Sequence, residues 1–442
     1  MVGGGRQTVR VADTSARRAP TPWTAPTAKE PVATTFRLPG SKSMTARALV
    51  LSAIADGPST LRRPLRARDT ELMAAGLRAM GSQVSTLDDD RWVIRPNPLA
   101  GPAHIDVGLA GTVMRFAPPV AGLATGTVTF DGDPRARQRP LGPLVGALRS
   151  LGVRIDSADS GGLPLAVHGT GRVAGGEVEI DASASSQFVS GLLLAGAAFE
   201  RGVVVRHAGP PVPSAPHLRM TALMLRAAGA AVDDTTPDVW AVQPGRLSGR
   251  AWIIEPDLSG AAPFFAAALV TGGEVTLLGW PRTSSQPVDR LRALLHEMGG
   301  EVSLGTEGLT VRGTGAVHGL DADLSDVSEL TPVLAALAAL ADSPSRLRGV
   351  AHIRGHETDR VAALARELKA LGADVTESHD GLEIRPRPLR GAPFQTYDDH
   401  RLAHAAAVIG LAVPGVEVDD VACTSKTLPE FPALWSAMVA GS

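Results

Sequence analysis

Two helical patterns alternate along the chain. In the first, apolar residues recur at helical spacing until a glycine, and Val or Ile follows three positions later. These glycines are Gly81, Gly152, Gly229, Gly299 and Gly372, roughly seventy residues apart. A glycine directly after an apolar helix is typical of a residue that ends the helix in a left-handed conformation. Each copy therefore predicts a helix, a glycine stop and a short strand.

The second pattern is a helix of almost only Ala, Leu, Val and Gly, which a short polar loop precedes. Its copies open near Ser41, Gly111, Ser185, Ser259, Glu329 and Asp399. A helix that is apolar on all sides is buried, whereas helices of the first pattern carry charges on one face. The chain thus predicts six α/β units, each with one buried and one exposed helix. The last helix, FPALWSAMVAG, belongs to a sixth unit that the chain end cuts short. We expect two domains of three units, with the buried helices inside.

The polar loops before the buried helices contain the residues that suggest chemistry. They are rich in Ser, Thr and Asp, which cap helices, and a helix N-terminus carries free N–H groups and partial positive charge. Several such ends facing one cleft would bind anions. Full positive charges lie in or near the same loops, on Lys42, Arg47, Arg115, Arg139, Arg360, Arg401 and Lys426.

Composition and net charge exclude several classes of protein. The 442 residues have a formal net charge of −2, which excludes a strongly basic nucleic-acid binder. The single cysteine, Cys423, excludes a disulfide framework or a multi-cysteine zinc site. We find no apolar run long enough to span a membrane and no secretory signal, and expect a cytoplasmic protein. Residues 1–30 lack apolar periodicity and are predicted to be a disordered tail.

The basic residues are unusual, because only four are lysines: Lys29, Lys42, Lys369 and Lys426. Two of these lie in the polar loops, where an ammonium supplies a compact charge that an arginine fork does not. The single tyrosine, Tyr397, lies beside another of these loops.

Seven motifs stand in one order along residues 30–440: LPGSKSMTARALVLSA, GLAGTVMRF, DGDPRARQRP, DASASSQF, RGHETDR, YDDHR and CTSKTLPEF. Together they resemble the 5-enolpyruvylshikimate-3-phosphate synthases. The resemblance implies a two-domain, inside-out α/β barrel of six βαβαββ units, three in each domain, with buried inner helices. It also implies crossings between the domains near Gly40 and Ser259. The first domain would then comprise residues 31–40 and 260–442, the second residues 41–259, and the active site would lie in the cleft between them.

The family's reaction transfers the enolpyruvyl group of phosphoenolpyruvate to the 5-hydroxyl of shikimate 3-phosphate and releases phosphate. By resemblance, we expect those two small molecules as ligands, no cofactor or metal, no nucleic acid or membrane, and a monomer. The two substrates together carry two phosphates and two carboxylates, which explains why the site needs cations and helix N-termini. Addition across the double bond needs one group to protonate the methylene and another to accept the hydroxyl proton. The herbicide glyphosate, which the family binds at the phosphoenolpyruvate site, is an expected inhibitor.

The resemblance also implies roles for individual residues. Lys42, Arg139, Gln187 and Lys426 would hold the phosphate of phosphoenolpyruvate, with Gly111 allowing close approach, and Arg360 and Arg401 would hold its carboxylate. Ser43 and Arg47 would bind the shikimate carboxylate, and Ser185, Ser186 and Ser214 the sugar-like phosphate. Glu329 and Glu357 would be the base and acid pair, Lys42 would also assist catalysis, and His356 would contact substrate.

The sequence departs from the family's usual residues at five positions: Ala46, Leu109, His217, His352 and His356. A histidine where the family has lysine weakens the positive charge at neutral pH. The departures leave a paralogue on a related cyclic substrate as an alternative. The sister transferase for UDP-N-acetylglucosamine is another, but it has a cysteine in a central loop, whereas Cys423 lies near the C-terminal lysine. A non-catalytic anion-binding homologue and an RNA-end-processing enzyme of related fold are further alternatives.

Overall fold

The computed structural model describes residues 22–88, 90–158 and 161–441, and these contain twelve α-helices and 23 strands. The helices are α1 (Lys42–Ala53), α2 (Arg68–Ala79), α3 (Gly111–Ala121), α4 (Gly142–Ser150), α5 (Gln187–Gly196), α6 (Ala215–Ala227), α7 (Leu258–Thr271), α8 (Val288–Glu297), α9 (Thr331–Leu340), α10 (Arg360–Ala370), α11 (His400–Gly410) and α12 (Phe431–Ala440). None of these helices is both long and apolar enough to cross a membrane.

The strands of the first half are β1 (Trp23–Thr24), β2 (Ala33–Phe36), β3 (Ser59–Arg62), β4 (Gln83–Asp88), β5 (Arg91–Arg95), β6 (Ala103–Asp106), β7 (Thr125–Asp131), β8 (Arg154–Ser157), β9 (Leu165–Thr170), β10 (Gly176–Ile180), β11 (Val203–His207), β12 (Val232–Asp233) and β13 (Val239–Val242). Those of the second half are β14 (Ala251–Ile253), β15 (Glu274–Leu278), β16 (Gly300–Leu304), β17 (Gly308–Gly313), β18 (Asp321–Asp323), β19 (Ser345–Arg348), β20 (Asp374–Ser378), β21 (Gly381–Arg385), β22 (Pro393–Phe394) and β23 (Glu417–Val418).

The predicted repeat is confirmed as a βαβαββ unit. In the second unit, β6-α3-β7-α4-β8-β9, the strand order is β6-β7-β9-β8; β6 and β7 run parallel, and β9 is antiparallel to both of its neighbours. The third and fifth units have the same order. The first and fourth units exchange their opening strands: β14 pairs with β3, and β2 pairs with β15. The chain therefore crosses twice between two groups of units.

Both crossings lie side by side. Gly40 forms an isolated bridge with Pro256, and the Ser41 amide donates to the Glu255 carbonyl at 2.7 Å. The buried apolar residues form two clusters, one from Met44 to Ile254 and the other from residues on both sides of that range. This arrangement supports the two-domain division, while its predicted boundaries at residues 40–41 and 259–260 stay a prediction.

Residues 22–30 differ from the predicted disordered tail. Strand β1 pairs antiparallel with β23, and the buried Ala25 lies against Gly410 in α11. The sixth unit has no closing hairpin of its own, so the N-terminal strand completes a three-stranded sheet with β22 and β23. The sequence pattern missed this pairing because two short strands from opposite ends of the chain carry no local signal. The rest of the predicted tail, residues 1–21, lies outside the described residues.

The two helical patterns are confirmed in detail. Every residue of α3 and α11 is buried, and most residues of α1, α5, α7 and α9 are buried as well. The five predicted stop glycines all have positive φ angles, between 96° and 109°. An L side chain is strained in that conformation, which explains why glycine recurs at this point of the repeat.

A buried histidine in α11 should make folding sensitive to acid. His404 is 1% exposed, and its ring nitrogens have no hydrogen-bond partner among the described residues. Burial lowers the pKa of His404 to about 3. The folded chain therefore binds fewer protons here than the unfolded chain, whose histidine titrates near 6.5, so stability is present above that pH and is lost as pH falls.

We expect His404 alone to lower the free energy of unfolding by about 2 kcal/mol when the pH falls from 7 to 5. Urea unfolding of the wild type and of His404→Leu at both pH values measures it. The variant should lose less stability on acidification than the wild type, whereas His104→Leu, at an exposed histidine, should not. An equal acid loss in wild type and His404→Leu would contradict the neutral buried imidazole.

Candidate active site

A cavity of about 530 Å³ lies where the two clusters of units meet. The N-terminal ends of all six buried helices reach it, since its lining includes Lys42, Gly111, Gln187, Leu258, Leu330 and His400. Each helix end contributes partial positive charge, so the six together favour an anion in the cavity. The repeat therefore explains the site: equivalent helix ends from six units converge on one place.

Thirteen of the fifteen predicted site residues line this cavity: Lys42, Ser43, Gly111, Arg139, Ser185, Ser186, Gln187, Ser214, Glu329, His356, Glu357, Arg360 and Arg401. The other two lie just outside it. Arg47 is buried behind Ser43, to whose carbonyl its Nη1 donates at 3.0 Å. Lys426 lines an adjoining cleft and reaches a cavity carboxylate with its ammonium.

Glu357 is held between two cations. Lys426 Nζ lies 2.6 Å from its Oε1, and Arg360 Nη2 lies 2.9 Å from its Oε2. Burial alone would raise the pKa of Glu357, but Lys426, Arg360 and Arg139 lower it well below the ordinary value. The carboxylate is therefore ionised in the absence of ligands, and both cations that hold it are predicted ligands of phosphoenolpyruvate.

Glu329 has a similar place on the other side of the cavity. Its Oε2 accepts from Arg401 Nη2 at 2.7 Å, and the same nitrogen donates to Ser259 Oγ at 2.8 Å. Burial raises the pKa of Glu329, yet Arg401 and the other positive groups around the carboxylate, Arg360 among them, together outweigh burial and lower the pKa. An ionised Glu329 can accept a proton, as a base must.

Asp399 orients both arginines that face these carboxylates. Its Oδ2 accepts from Arg360 Nε at 2.7 Å and its Oδ1 from Arg360 Nη2 at 3.2 Å. Oδ1 also accepts from the backbone amide of Arg401 at 2.9 Å, which caps α11. Burial lowers the pKa of Arg360, but Asp399 and Glu357 more than offset it and raise the pKa. Arg360 thus remains a cation at every accessible pH.

His356 is neutral in this setting. Burial, and then the charge of Arg360, lower its pKa well below the ordinary value. Arg360 Nη1 lies 3.0 Å from His356 Nδ1, so Nδ1 accepts and the proton of the neutral ring is on Nε2. The residue offers a hydrogen-bond donor rather than a positive charge, in line with the weakened charge expected from the sequence.

Two other histidines of the cavity lining, His217 and His352, are neutral as well. Burial lowers the pKa of His217 to about 4 and that of His352 to about 4, so both are neutral at pH 7. His352 Nε2 lies 2.8 Å from Ser328 Oγ, which in turn lies 3.3 Å from Ser214 Oγ. The Ser214 amide donates to the Ser325 carbonyl at 2.8 Å. These bonds join the two clusters of units at the rim of the cavity.

The Gly111 end of the cavity is cationic. A Cβ atom at Gly111 would lie 2.8 Å from Arg115 Nη1, 3.1 Å from Arg139 Nη2 and 3.2 Å from Gln187 Oε1. Arg115 Nη1 donates to Gln187 Oε1 at 2.9 Å, and Arg139 Nη1 donates to the Leu109 carbonyl at 3.0 Å. Glycine is therefore required for these three side chains to converge on the end of α3.

Two aspartates contact Lys42, and one of them belongs to the segment where the chain crosses between the two clusters. Lys42 Nζ lies 3.3 Å from the buried Asp69, and its backbone amide donates to Asp257 Oδ2 at 3.1 Å. The other oxygen of Asp257 accepts from the Gly260 amide at 2.7 Å. One carboxylate thus caps the N-termini of α1 and α7, which belong to different clusters.

Arg47 is buried without a carboxylate partner among the described residues. It donates to Thr221 Oγ1 at 2.8 Å and to Ser190 Oγ at 3.2 Å, and lies over the Phe116 ring at 5.1 Å. Burial lowers its pKa to about 9. At pH 7 it remains a cation whose charge favours an anion in the nearby cavity.

Sequence reasoning missed the residues that position the cations. Asp69, Asp257 and Asp399 were not among the predicted site residues, and Arg115 was noted only as a cation. A signal exists for Asp257 and Asp399, because each lies at the opening of a buried helix. Asp69 lies in α2, and no local pattern distinguishes it from a solvated helix residue. Within residues 22–88, 90–158 and 161–441, no three metal-ligating side chains are grouped to hold a metal ion.

Comparison with known proteins places the chain in a family. The model of the family described as EPSP synthase (3-phosphoshikimate 1-carboxyvinyltransferase) matches residues 26–435. The chain belongs to this family. It is thus an enolpyruvyl transferase of the shikimate pathway, which transfers the enolpyruvyl group of phosphoenolpyruvate to the 5-hydroxyl of shikimate 3-phosphate.

Solved structures share the fold. Two structures of EPSP synthase from Acinetobacter baumannii are 24% and 23% identical to this chain, with TM-scores of 0.78 and 0.77; in both cases 94% of this chain and 97% of the other are covered. The enolpyruvyl transferase NikO from Streptomyces tendae is 17% identical, with a TM-score of 0.72, over 93% of this chain and 96% of that one.

Proposed function

We propose that the cavity is the active site of this transferase and that its residues act as the motifs indicate. The observation that carries the proposal is that both carboxylates line the cavity and are bound to cations. Glu357 binds Arg360, which lines the cavity, and Lys426, which lies just outside it, and Glu329 binds Arg401, which lines the cavity. An anionic substrate competes for those cations, so its binding changes the charge around both proton-transfer groups.

Phosphoenolpyruvate would lie between the two halves of the site. Its phosphate would bind Lys42, Arg139, Gln187 and Lys426 against the Gly111 end of α3. Its carboxylate would bind the forks of Arg360 and Arg401, because a planar guanidinium matches a carboxylate with two parallel hydrogen bonds. Gln187 and Arg139 support this placement, since both converge on Gly111.

Shikimate 3-phosphate would lie against the units of the cluster that runs from Met44 to Ile254. Ser185, Ser186 and Ser214 would bind its phosphate at the N-termini of α5 and α6. Ser43 would bind its carboxylate, with the charge of Arg47 acting from behind. The neutral His356 would donate a hydrogen bond through Nε2. His217 and His352 are placed at the same rim, and their pKa values of about 4 keep them uncharged toward the ligand.

The proton transfers follow from these positions. Glu329 takes the proton of the 5-hydroxyl group of shikimate 3-phosphate while the oxygen of that hydroxyl bonds to C2 of phosphoenolpyruvate. Glu357 gives a proton to the methylene carbon, which becomes a methyl group. The tetrahedral intermediate then eliminates phosphate by the reverse proton movements: the Glu357 carboxylate takes back a proton from the methyl group, Glu329 gives its proton to the leaving phosphate, and the double bond forms again. Binding of phosphoenolpyruvate draws Lys426 and Arg360 toward substrate oxygens, which raises the pKa of Glu357 and allows it to carry the proton it must donate.

The experiment that tests the proposal is phosphate release from phosphoenolpyruvate. We expect turnover with shikimate 3-phosphate and none with UDP-N-acetylglucosamine. Turnover with the UDP-sugar alone would favour the sister reaction, and tight binding without turnover would favour a non-catalytic homologue. The paralogous alternative has one supporting observation, the fold shared with the Streptomyces tendae enolpyruvyl transferase.

The Gly111 end of the cavity gives a second prediction. In Gly111→Ala the new methyl must displace Arg115, Arg139 or Gln187. We expect the KM for phosphoenolpyruvate to rise about tenfold, equivalent to roughly 1.4 kcal/mol, and glyphosate to inhibit the variant less than the wild type, which millimolar glyphosate should inhibit. Gly146→Ala is the matched control, because nothing lies within 4 Å of a Cβ there. Equal inhibition of Gly111→Ala and wild type would count against this placement.

We also propose that one copy of the chain suffices for catalysis, since the groups assigned to both substrates come from one chain. A monomer in solution, measured by light scattering, and a cytoplasmic location stay predictions from the sequence.

A further inference from the structure

The single tyrosine lies in a strained turn next to the active site. Tyr397 and Asp398 have φ angles of 55° and 57°, in the left-handed region that side chains other than glycine rarely adopt. Each such residue costs about 1–3 kcal/mol. The next residue is Asp399, which binds Arg360 and caps α11 at Arg401. The turn therefore determines where that aspartate lies.

The turn is attached to α10 through a buried glutamate. Tyr397 Oη donates to Glu367 Oε1 at 2.5 Å, and the Gln395 amide donates to Glu367 Oε2 at 3.0 Å. Glu367 lies seven residues after Arg360 on α10, which is two turns and about 10 Å along the helix. The segment from Gln395 to Asp399 is thus fastened to α10 at both of its ends.

The rest of the segment has few other polar attachments. The Thr396 amide donates to Asp419 Oδ1 at 2.8 Å, and the Asp399 amide donates to the Thr396 carbonyl at 2.9 Å. Outside the segment, Arg366 Nη1 donates to Tyr397 Oη at 3.1 Å, and its guanidinium lies over the ring. Among the described residues, only Glu367 binds both the tyrosine hydroxyl and the backbone at Gln395.

Burial of the Glu367 side chain costs free energy that the stability of α10 does not require. It is 4% exposed, and no lysine, arginine or histidine within the described ranges forms an ion pair with it. A carboxylate buried on neutral donors costs free energy that an apolar side chain of similar size would not. The carboxylate instead fixes the position of the strained segment, because one of its oxygens accepts from the Tyr397 hydroxyl and the other from the Gln395 amide.

We propose that Glu367 and Tyr397 are positioning residues for phosphoenolpyruvate, which hold the turn so that Asp399 presents Arg360 and Arg401 to the substrate carboxylate. The proposal rests on the proposed function, since it assigns those two arginines to phosphoenolpyruvate. One carboxylate, Asp399, sets the side chain of Arg360 and the backbone of Arg401. A small displacement of the turn therefore moves both forks, and leaves the shikimate 3-phosphate side of the cavity unchanged.

Steady-state kinetics with both substrates tests this. We expect Tyr397→Phe to raise the KM for phosphoenolpyruvate about fivefold and Glu367→Ala about twentyfold, with kcat and the KM for shikimate 3-phosphate changed less than twofold. Glu367→Gln keeps one acceptor and should recover most of the loss. Arg366→Gln removes the other polar partner of the tyrosine and should behave as wild type. A variant that was merely less stable would not change one KM alone.

The single tyrosine also permits a direct measurement. Wild type labelled with 3-fluorotyrosine gives one fluorine resonance, from Tyr397. We expect phosphoenolpyruvate, added without shikimate 3-phosphate so that no turnover occurs, to shift that resonance in wild type and in Arg366→Gln, and not in Glu367→Ala. This readout requires a folded variant but not an active one.

The outcomes separate this inference from the function it rests on. An active wild type with an unchanged KM for phosphoenolpyruvate in both Tyr397→Phe and Glu367→Ala would overturn the positioning role alone. A wild type that releases no phosphate would overturn the proposed function. If Glu367→Ala does not fold, Tyr397→Phe and the wild-type fluorine titration decide the question, and no change in either overturns the proposal.

Discussion

Glu357→Gln should lower turnover by about 10²–10⁴-fold, the usual contribution of a positioned acid or base, while phosphoenolpyruvate binds as tightly as to wild type or more tightly. The amide cannot supply the proton for the methylene carbon. It also removes the negative charge that Lys426 and Arg360 contact at 2.6 and 2.9 Å. Both cations are then free to attract the anionic substrate. Phosphate release measures the first effect, and calorimetric titration measures the second.

The matched control for this variant is Glu377→Gln. Glu377 is an exposed residue of β20 that pairs with Arg354 Nη1 at 2.8 Å, and it does not line the cavity. The same chemical change there should leave turnover unaltered. Near wild-type turnover in Glu357→Gln would remove Glu357 from the acid and base pair. Lost turnover with greatly weakened phosphoenolpyruvate binding would mean that the carboxylate acts by holding the cations in place.

The features that depend on local sequence were predictable. The stop glycines, the buried helices and the polar openings each follow from a few consecutive residues, and a sixfold repeat makes each easier to recognise. The site could be found for the same reason, because its residues cluster at helix openings such as those of Lys42 and Arg401. Lys42, Lys426 and Tyr397, rare residue types in this chain, all lie in or beside the site.

The features that depend on contacts between distant segments were not predictable. The exchange of β2 and β14 between units is set by topology, and so is the pairing of β1 with β23. The hydrogen-bond partners of the cations also depend on contacts between distant segments. Nothing in the sequence near Arg47 indicates that its donors bind Thr221 and Ser190 rather than a carboxylate. The neutral state of His217 and His352 depends on burial, which only the folded chain defines.

Positioning by carboxylates is a common theme of the site. Asp69, Asp257, Asp399 and Glu367 each hold a group that carries or presents positive charge, and none was predicted to contact substrate. Buried ion pairs add little net stability on average, because desolvation offsets much of their attraction. Their more certain effect is to fix the direction of the cation.

Lys426→Met should lower kcat/KM for phosphoenolpyruvate by about 10²–10³-fold. Loss of a buried charged partner costs roughly 2–5 kcal/mol. Here the ammonium binds Glu357 and, by our proposal, would also bind the substrate phosphate. Lys426 is the foremost of the charges that hold the pKa of Glu357 below its ordinary value against burial. Without it, the pKa of Glu357 rises in the free enzyme, so the carboxyl group becomes protonated at higher pH than in wild type.

Proton uptake distinguishes this effect from simple loss of affinity. In wild type, we expect phosphoenolpyruvate to draw the cations away from Glu357, which raises the pKa of Glu357, so that binding is accompanied by uptake of a proton near neutral pH. In Lys426→Met the group is already closer to its protonated form, so uptake should be smaller. Calorimetry in buffers of different ionisation enthalpy measures the difference. Lys369→Met, which removes an exposed lysine at the end of α10, should match wild type in both rate and uptake. A Lys426→Met enzyme with kcat/KM within fivefold of wild type would show that the ammonium does not bind the phosphate, and unchanged proton uptake would show that it does not set the charge of Glu357.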